Sequence, residues 1–392
     1  MTDRETRHAE LAGRYLPQES LERMRARAGE TDRENEFFWE DLDELRAAGY
    51  LTLFVPEEFG GPGLTLNEVS RLQQRLATAA PATALAINMH LMCTGVVRAM
   101  FERGDRSLAR VFEETMAGEV FAFGISEPSN DWVLQGSNTR AVPDGEGGYA
   151  LTGVKIFTSL SPAWTRLIVH GLDDSDPEAP RLVYGFIERS AEGISVSEDW
   201  DVLGMRASQS RATILSGVRM PADRVARRIE PGPVPDLLTF AITANFQLLI
   251  GPVYAGVAQR ALEVGAAGLK RRTSAKRGAT LAEAPEFRAR LAKAHLDFMA
   301  VPAQLDSVTR DFDECVNHGA GWPLRLVSAR IRAGEAARRC AETALMCTGG
   351  SGFSNAQEAS RLYRDAAAGL FHPPSEDAAL PMYAAALLDT DE

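Results

Sequence analysis

Apolar positions along this chain follow three successive rhythms. Through residues 1–118 they recur at helical spacing, as at Leu66, Val69, Leu72 and Leu76 in LNEVSRLQQRLATAA and again in DLDELRAAGY. A Pro/Gly-rich stretch, LFVPEEFGGPGL, separates these two segments and reads as a loop. From 119 to 228 the pattern shifts to short alternating or β-rich runs: GGYALTGVKIFTS, RLIVHGL, RLVYGFIE, GISVSEDW and ATILSGVRM. Turn-forming PDGEGG and DDSDPEAP punctuate them, which predicts a small antiparallel, barrel-like β domain. From 229 to 392 long Ala/Leu/Arg segments restore the helical period and predict a helical bundle. The expected class is α+β, mostly α, in three domains.

Composition narrows the function classes. With 392 residues, 45% apolar and 24% charged, the chain has the make-up of a globular protein with a large core. A net charge of -12 argues against a non-specific nucleic-acid binder, which needs a cationic face, so no nucleic-acid role is expected. Cys93, Cys315, Cys340 and Cys347 lack the spacing of a metal or disulfide framework, so no metal site is expected. The charged N-terminus shows no apolar signal segment, and cytoplasm is the expected compartment. Leu237 to Gln259 carries no charge and is long enough to span a bilayer. Polar residues and Pro252 interrupt it, so a buried bundle helix is expected rather than a membrane segment.

The chemistry-bearing motifs fall in the second and third zones. Ser126-Glu127-Pro128 closes the apolar run FAFGIS and reads, by itself, as a turn ending a strand. Lys155-Ile156-Phe157-Thr158-Ser159 places Phe157 and Ser159 two apart, on one face of a strand. Near the end, Gly349, Gly350, Gly352 and Phe353 precede Arg361, Arg364 and Asp365, followed by Leu370-Phe371-His372-Pro373-Pro374. The glycines follow a helical run, so they do not form a dinucleotide-binding fingerprint. Together these motifs resemble those of the acyl-CoA dehydrogenase superfamily, over nearly the whole chain. The resemblance implies a helical N-terminal domain, a middle β domain and a C-terminal four-helix bundle. It implies FAD, with FMN as the other candidate, bound between the β domain and the bundle. Ser126 would meet the pyrimidine edge of the flavin, Phe157 would pack on the ring and Ser159 would bond its N5. Arg271 or Arg272 would meet the cofactor pyrophosphate, often across a dimer interface, and Gly349 and Gly350 would also belong to the cofactor site. The Phe-Gly that follows such an Arg in the family is missing, and a solvated basic patch at a helix end is an equal reading. Gly204-Met205-Arg206 with Ser208 resembles a further segment close to the active site.

Three departures from the family pattern stand together. Gapless counting from Asp365 puts Pro373 where the carboxylate base of a dehydrogenase belongs, and Phe246 at the alternative base position on the first bundle helix. Asp131-Trp132-Val133 replaces the Gly-Ser-Asp that helps hold an acyl-CoA. His372 stands beside the lost base, and His90 lies in ALAINMHLM. A lone histidine on an apolar helix also reads as a satisfied core residue. The combination resembles the two-component flavin monooxygenases built on this scaffold, where imidazoles supply protons or hydrogen bonds near neutral pH. The expected activity is hydroxylation of a hydrophobic or aromatic small molecule with reduced flavin and O2, with His372, His90 and Ser159 catalytic. A separate flavin reductase and a homodimer or homotetramer are the expected partners. The alternative is an acyl-CoA or carrier-bound thioester dehydrogenase with a relocated base, for which Glu376 is the nearby candidate.

Overall fold

The computed structural model describes residues 3–389, and the element order follows the three rhythms of the sequence. Helices run from Asp3–Tyr15 to Arg110–Met116, strands from Phe121–Gly124 to Val225–Ile229, and helices again from Leu237–Arg271 onward. Helix starts are encoded locally. Thr65 accepts the Glu68 amide while the Glu68 carboxylate accepts the Thr65 amide, a reciprocal cap on Leu66–Ala77. Asp236 accepts the amides of Leu238 and Thr239 and so starts the 35-residue helix Leu237–Arg271. That helix holds the uncharged stretch, and most of its apolar side chains are buried against neighbouring helices, as expected of a core helix.

Leu237–Arg271, Pro285–Asp313 and Trp322–Thr348 pack along one another, and the shorter Glu358–Ala367 lies against the first and third. The β layer is one eight-stranded sheet. Its order is Ile194–Val196, Arg211–Met220, Tyr149–Thr158, Arg140–Pro143, Arg166–Asp173, Arg181–Glu188 and Val225–Ile229, with Phe121–Gly124 beside Arg166–Asp173. Most pairings are antiparallel, as the hairpin turns predict. Two are parallel: Phe121–Gly124 and Arg140–Pro143 each run alongside Arg166–Asp173. Both enter the sheet from connections too long to be tight hairpins, which frees their direction.

Where Tyr149–Thr158 pairs with Arg211–Met220 the register slips between Lys155 and Thr158. Two residues oppose one there, a β-bulge. The same stretch carries a fully enclosed ion pair. Lys155 Nζ lies 2.5 Å from Glu127 Oε1, with both side chains sealed from solvent. Lys155 also donates to the His170 carbonyl at 2.7 Å and faces His170 Nδ1 at 3.1 Å. Glu127 accepts from Thr139 Oγ1, Ser137 Oγ, Asn130 Nδ2 and the Asn138 amide, at 2.6–2.8 Å. Burial opposes ionisation of Glu127, but the Lys155 charge and these donors hold its carboxyl down to about 2. An enclosed pair with every oxygen satisfied is costly to half-dismantle. Lys155→Met should lower the unfolding free energy by about 3–5 kcal/mol in urea denaturation, since it strands the Glu127 charge. A loss below about 1 kcal/mol would mean that the pair does not anchor the fold.

Candidate active site

The sheet and the bundle enclose a cavity of about 1510 Å³. Leu85 and Met89 of Pro81–Glu102, the first four turns of Leu237–Arg271, and the loop Phe371 to Pro374 supply its walls, with Asp131 to Gln135 from the β layer. Ser126, Phe157 and Ser159 all line it, which brings the two β-domain motifs onto one surface. Strand alternation is not what aims them. Phe157 sits in the bulge with φ of 55°, and Ser159 lies just beyond the strand end. The Ile156 amide donates to the Ser126 carbonyl at 2.8 Å, pinning the bulge to the neighbouring motif. Phe157 is 57% exposed, although Lys155, Thr158 and Ser159 around it are buried. A left-handed phenylalanine with a bare ring is costly on both counts. Ser159 Oγ lies 2.6 Å from Ser210 Oγ, which lies 2.8 Å from Ser208 Oγ, so a chain of three hydroxyls ends at the cavity wall. A bare aromatic platform flanked by hydroxyls fits a flat ring system with polar edges.

The opposite wall is built by the C-terminal loop. His372 lines the cavity, and its Nε2 lies 2.6 Å from the hydroxyl of Tyr254, a fully enclosed residue of the central helix. Burial and then the Arg330 charge hold the His372 imidazole down to about 3, so it is neutral at physiological pH. Gln247 Nε2 donates to the Pro373 carbonyl at 2.9 Å, and Arg330 donates to the Pro374 carbonyl and to Gln247 Oε1. Two helices therefore clasp the loop by its backbone. Tyr254, Gln247 and Arg330 belong to no local motif, and the sequence reading passed over them. Their only signal is that Gln247 and Tyr254 stand seven apart, on one helix face. Phe246 also borders the cavity, its ring 6.2 Å from that of His372. Both places at which a base was sought thus carry non-basic side chains in the wall, Pro373 and Phe246. Glu376 is exposed at the start of Glu376–Leu388, outside the lining.

Several expected site residues lie elsewhere. His90 is a correction: it is fully enclosed, its Nε2 lies 2.7 Å from the Leu51 carbonyl, and its Nδ1 accepts the Phe121 amide at 3.1 Å. Both nitrogens are consumed by backbone, so the ring joins helix, loop and sheet and offers nothing to the cavity. Its neighbour Met89 faces the cavity instead. Arg271 and Arg272 end the central helix, 24 residues past Gln247 and so about 36 Å along its axis. Arg272 donates to the Cys347 carbonyl at 2.8 Å and packs over Gly349, where a Cβ would meet its guanidinium. Within one chain Arg272 and the Gly349 turn form a corner apart from the cavity. Gly204 and Met205 line the cavity beside Arg364. The Met205 amide donates to Asp365 Oδ1 at 2.6 Å, so this segment and the Arg361-x-x-Arg364-Asp365 helix lock together.

Fold and site define a flavoprotein oxidoreductase class. The chain belongs to the acyl-CoA dehydrogenase family: the family's N-terminal domain matches residues 18–105 and its C-terminal domain residues 248–374. It is 28% identical over 372 residues to the amino sugar nitrososynthase DnmZ of Streptomyces peucetius, covering 93% of this chain and 88% of that one. It is 27% identical over 250 residues to the dibenzothiophene monooxygenase of Rhodococcus erythropolis, covering 62% of this chain and 58% of that one. A solved structure of KijD3, in complex with FMN and dTDP-3-amino-2,3,6-trideoxy-4-keto-3-methyl-D-glucose, superposes with a TM-score of 0.84 at 26% identity. That match covers 98% of this chain and 94% of the other.

The reassignment of His90 has a pH signature. Burial lowers its imidazole from 6.5 to about 4, so the folded protein keeps it neutral while the unfolded chain takes up a proton. Its contribution is complete above pH 6.5 and is lost as pH falls toward the folded value. The stability advantage of the wild type over His90→Gln should shrink by about 1.4 kcal/mol per pH unit below that point. Urea midpoints measured at stepped pH check this, and a pH-independent difference would restore a solvent-accessible role.

Proposed function

We propose that this protein is a flavin-dependent monooxygenase that oxidises a hydrophobic, aromatic small molecule with O2 and a flavin reduced by a separate reductase. The observation that carries the reading is the C-terminal wall. Where a dehydrogenase needs a carboxylate to remove an α-proton, this cavity has Pro373 and Phe246, with a neutral imidazole, His372, anchored beside them. When bound, a reduced flavin supplies the two electrons that let one atom of O2 enter the substrate while the other leaves as water.

The chain's own residues would then have distinct tasks. Phe157 covers one face of the ring and keeps water from it, Ser126 bonds its edge, and Ser159 with Ser210 behind it presents a hydroxyl to the reactive locus. His372 offers a hydrogen bond from the opposite wall. The wall suits an uncharged acceptor. Its guanidinium, Arg364, is already matched by Asp32 at 2.9 Å, and Asp131 and Asp236 add negative charge. Relatives named as a dibenzothiophene monooxygenase and as nitrososynthases support an oxidative reading. Arg271 and Arg272, remote from the cavity of their own chain, fit the flavin phosphates only from a partner copy, which favours a homodimer or larger assembly.

The test is to reduce the flavin-loaded protein without oxygen, admit isotopically labelled O2 with indole as an aromatic probe, and follow near-UV absorbance and product mass. The expected outcome is a transient absorbance distinct from both reduced and oxidised flavin, with label in the product. Direct reoxidation, together with bleaching of the oxidised flavin by an acyl-CoA, would sink the proposal in favour of a dehydrogenase. His372→Ala should shorten the transient about tenfold or more, the scale of a lost oriented hydrogen-bond partner.

A further inference from the structure

The contact behind His372 is more specific than packing requires. Tyr254 is wholly enclosed, and burial raises its hydroxyl far above the ordinary phenol value, so it keeps its proton. Among the described residues the one hydrogen-bond partner of that hydroxyl is His372 Nε2, at 2.6 Å. Were Nε2 the donor, the phenolic hydrogen would be left buried without an acceptor, a state that folded proteins avoid. Tyr254 must therefore donate, which places the imidazole hydrogen on Nδ1.

The surroundings hold this arrangement rigidly. Gln247 and Arg330 grip the two carbonyls that follow His372, so the histidine cannot swing away from the helix. Gly369 lets the loop lie flat on the tyrosine, because a Cβ there would come within 3.2 Å of the Tyr254 ring. The charged and titratable groups around the pair come from three elements. Arg330 of Trp322–Thr348 acts on both rings, Asp365 of Glu358–Ala367 acts on Tyr254, and Glu376 and Tyr383 of Glu376–Leu388 act on Arg330. The nearest charge to the imidazole is thus positive, which disfavours a second proton on the ring.

We propose that Tyr254 is a positioning residue that fixes His372 as the Nδ1–H tautomer, making that N–H the group that meets a molecule in the cavity. On this view His372 acts as an oriented, uncharged hydrogen-bond donor and not as an acid titrating near neutrality. The inference rests on the oxygenase reading for its catalytic meaning, but its structural half is independent of it.

The experiment uses the full chain without flavin, labelled with nitrogen-15 at histidine. Long-range proton–nitrogen correlation spectra distinguish the two tautomers, and loss of one signal set in His372→Asn assigns the residue. The wild type should show Nδ1 protonated and Nε2 unprotonated between about pH 5 and 8. In Tyr254→Phe the signals should move to a mixture or to the Nε2–H form. An Nε2–H wild type, or a variant with unchanged tautomer, overturns the proposal. The wild-type spectrum decides even if the variant does not fold. In the flavin-loaded enzyme Tyr254→Phe should raise the hydrogen peroxide released per reduced flavin consumed by about tenfold, the lower range for loss of an orienting partner. If the tautomer shifts and that ratio does not, Tyr254 has no positioning role in the reaction. If the wild type holds the expected tautomer but oxygenates no probe, the oxygenase reading fails while the assignment of Tyr254 stands.

Discussion

Everything on the sheet side of the cavity hangs from the Lys155–Glu127 pair. Glu127 follows Ser126 directly, and Lys155 stands two residues before Phe157, so one enclosed contact fixes both motifs. The pair also governs the wall between them. Glu127 gathers donors from Asn130, Ser137, Asn138 and Thr139, while His170, braced by Lys155, contacts the Val133 and Gly136 carbonyls at 3.0 Å. The loop carrying Asp131 to Gln135 is therefore tied at both ends and in its middle. Desolvating two charges costs several kcal/mol per ion, and the network offsets that only because each polar atom in it finds a partner. The same rigidity supports the left-handed Phe157, whose backbone would relax without it.

A second set of contacts joins this half of the site to the bundle. Asp365 is fully enclosed, and burial raises its carboxyl to about 6, yet it accepts the Met205 amide. Gly204 has no room for a side chain, since a Cβ would collide with the Arg364 carbonyl. Arg364 reaches back to Asp32 and to the Leu203 carbonyl, so a helix from each end of the chain closes on the β layer. The Arg-x-x-Arg-Asp frame, read in the sequence as a family signature, works here as a clamp that sets the distance between the two cavity walls.

Much of this was legible in the residue pattern. The three rhythms foretold the order of helices, sheet and helices, and Ser126, Phe157, Ser159 and His372 do share one cavity. What failed did so for physical reasons. Alternation assigned Phe157 and Ser159 to one face of a strand, but a bulge, set by a register that only the partner strand defines, does the aiming. The apolar run ALAINMHLM left His90 readable either as a catalytic group or as a satisfied core residue. That run could not say whether the ring meets a cavity or the Leu51 carbonyl, and the distinction rests on a residue 39 positions away. Tyr254 and Gln247 were missed because they act across separations of 118 and 126 residues, where no spacing rule reaches. For Arg272, read as a phosphate ligand or as part of a solvated basic patch, no spacing rule foretold its contact with the Cys347 carbonyl, a helix end in its own chain.

A proline at the base position with an imidazole one residue before it makes sense in that setting. A carboxylate there would sit beside the Arg330 guanidinium, which favours the charged form and suits the removal of a proton. The same guanidinium pushes an imidazole the other way, toward its neutral form, while Tyr254 occupies one of its nitrogens. One cationic neighbour thus has opposite effects on the two kinds of side chain, holding a carboxylate charged and the His372 imidazole neutral. The clasp of Gln247 and Arg330 on the Pro373 and Pro374 carbonyls holds the backbone and makes no demand on the side chain it presents. A fold whose anchors grip the main chain at this point can therefore change the side chains of this loop without rebuilding the wall.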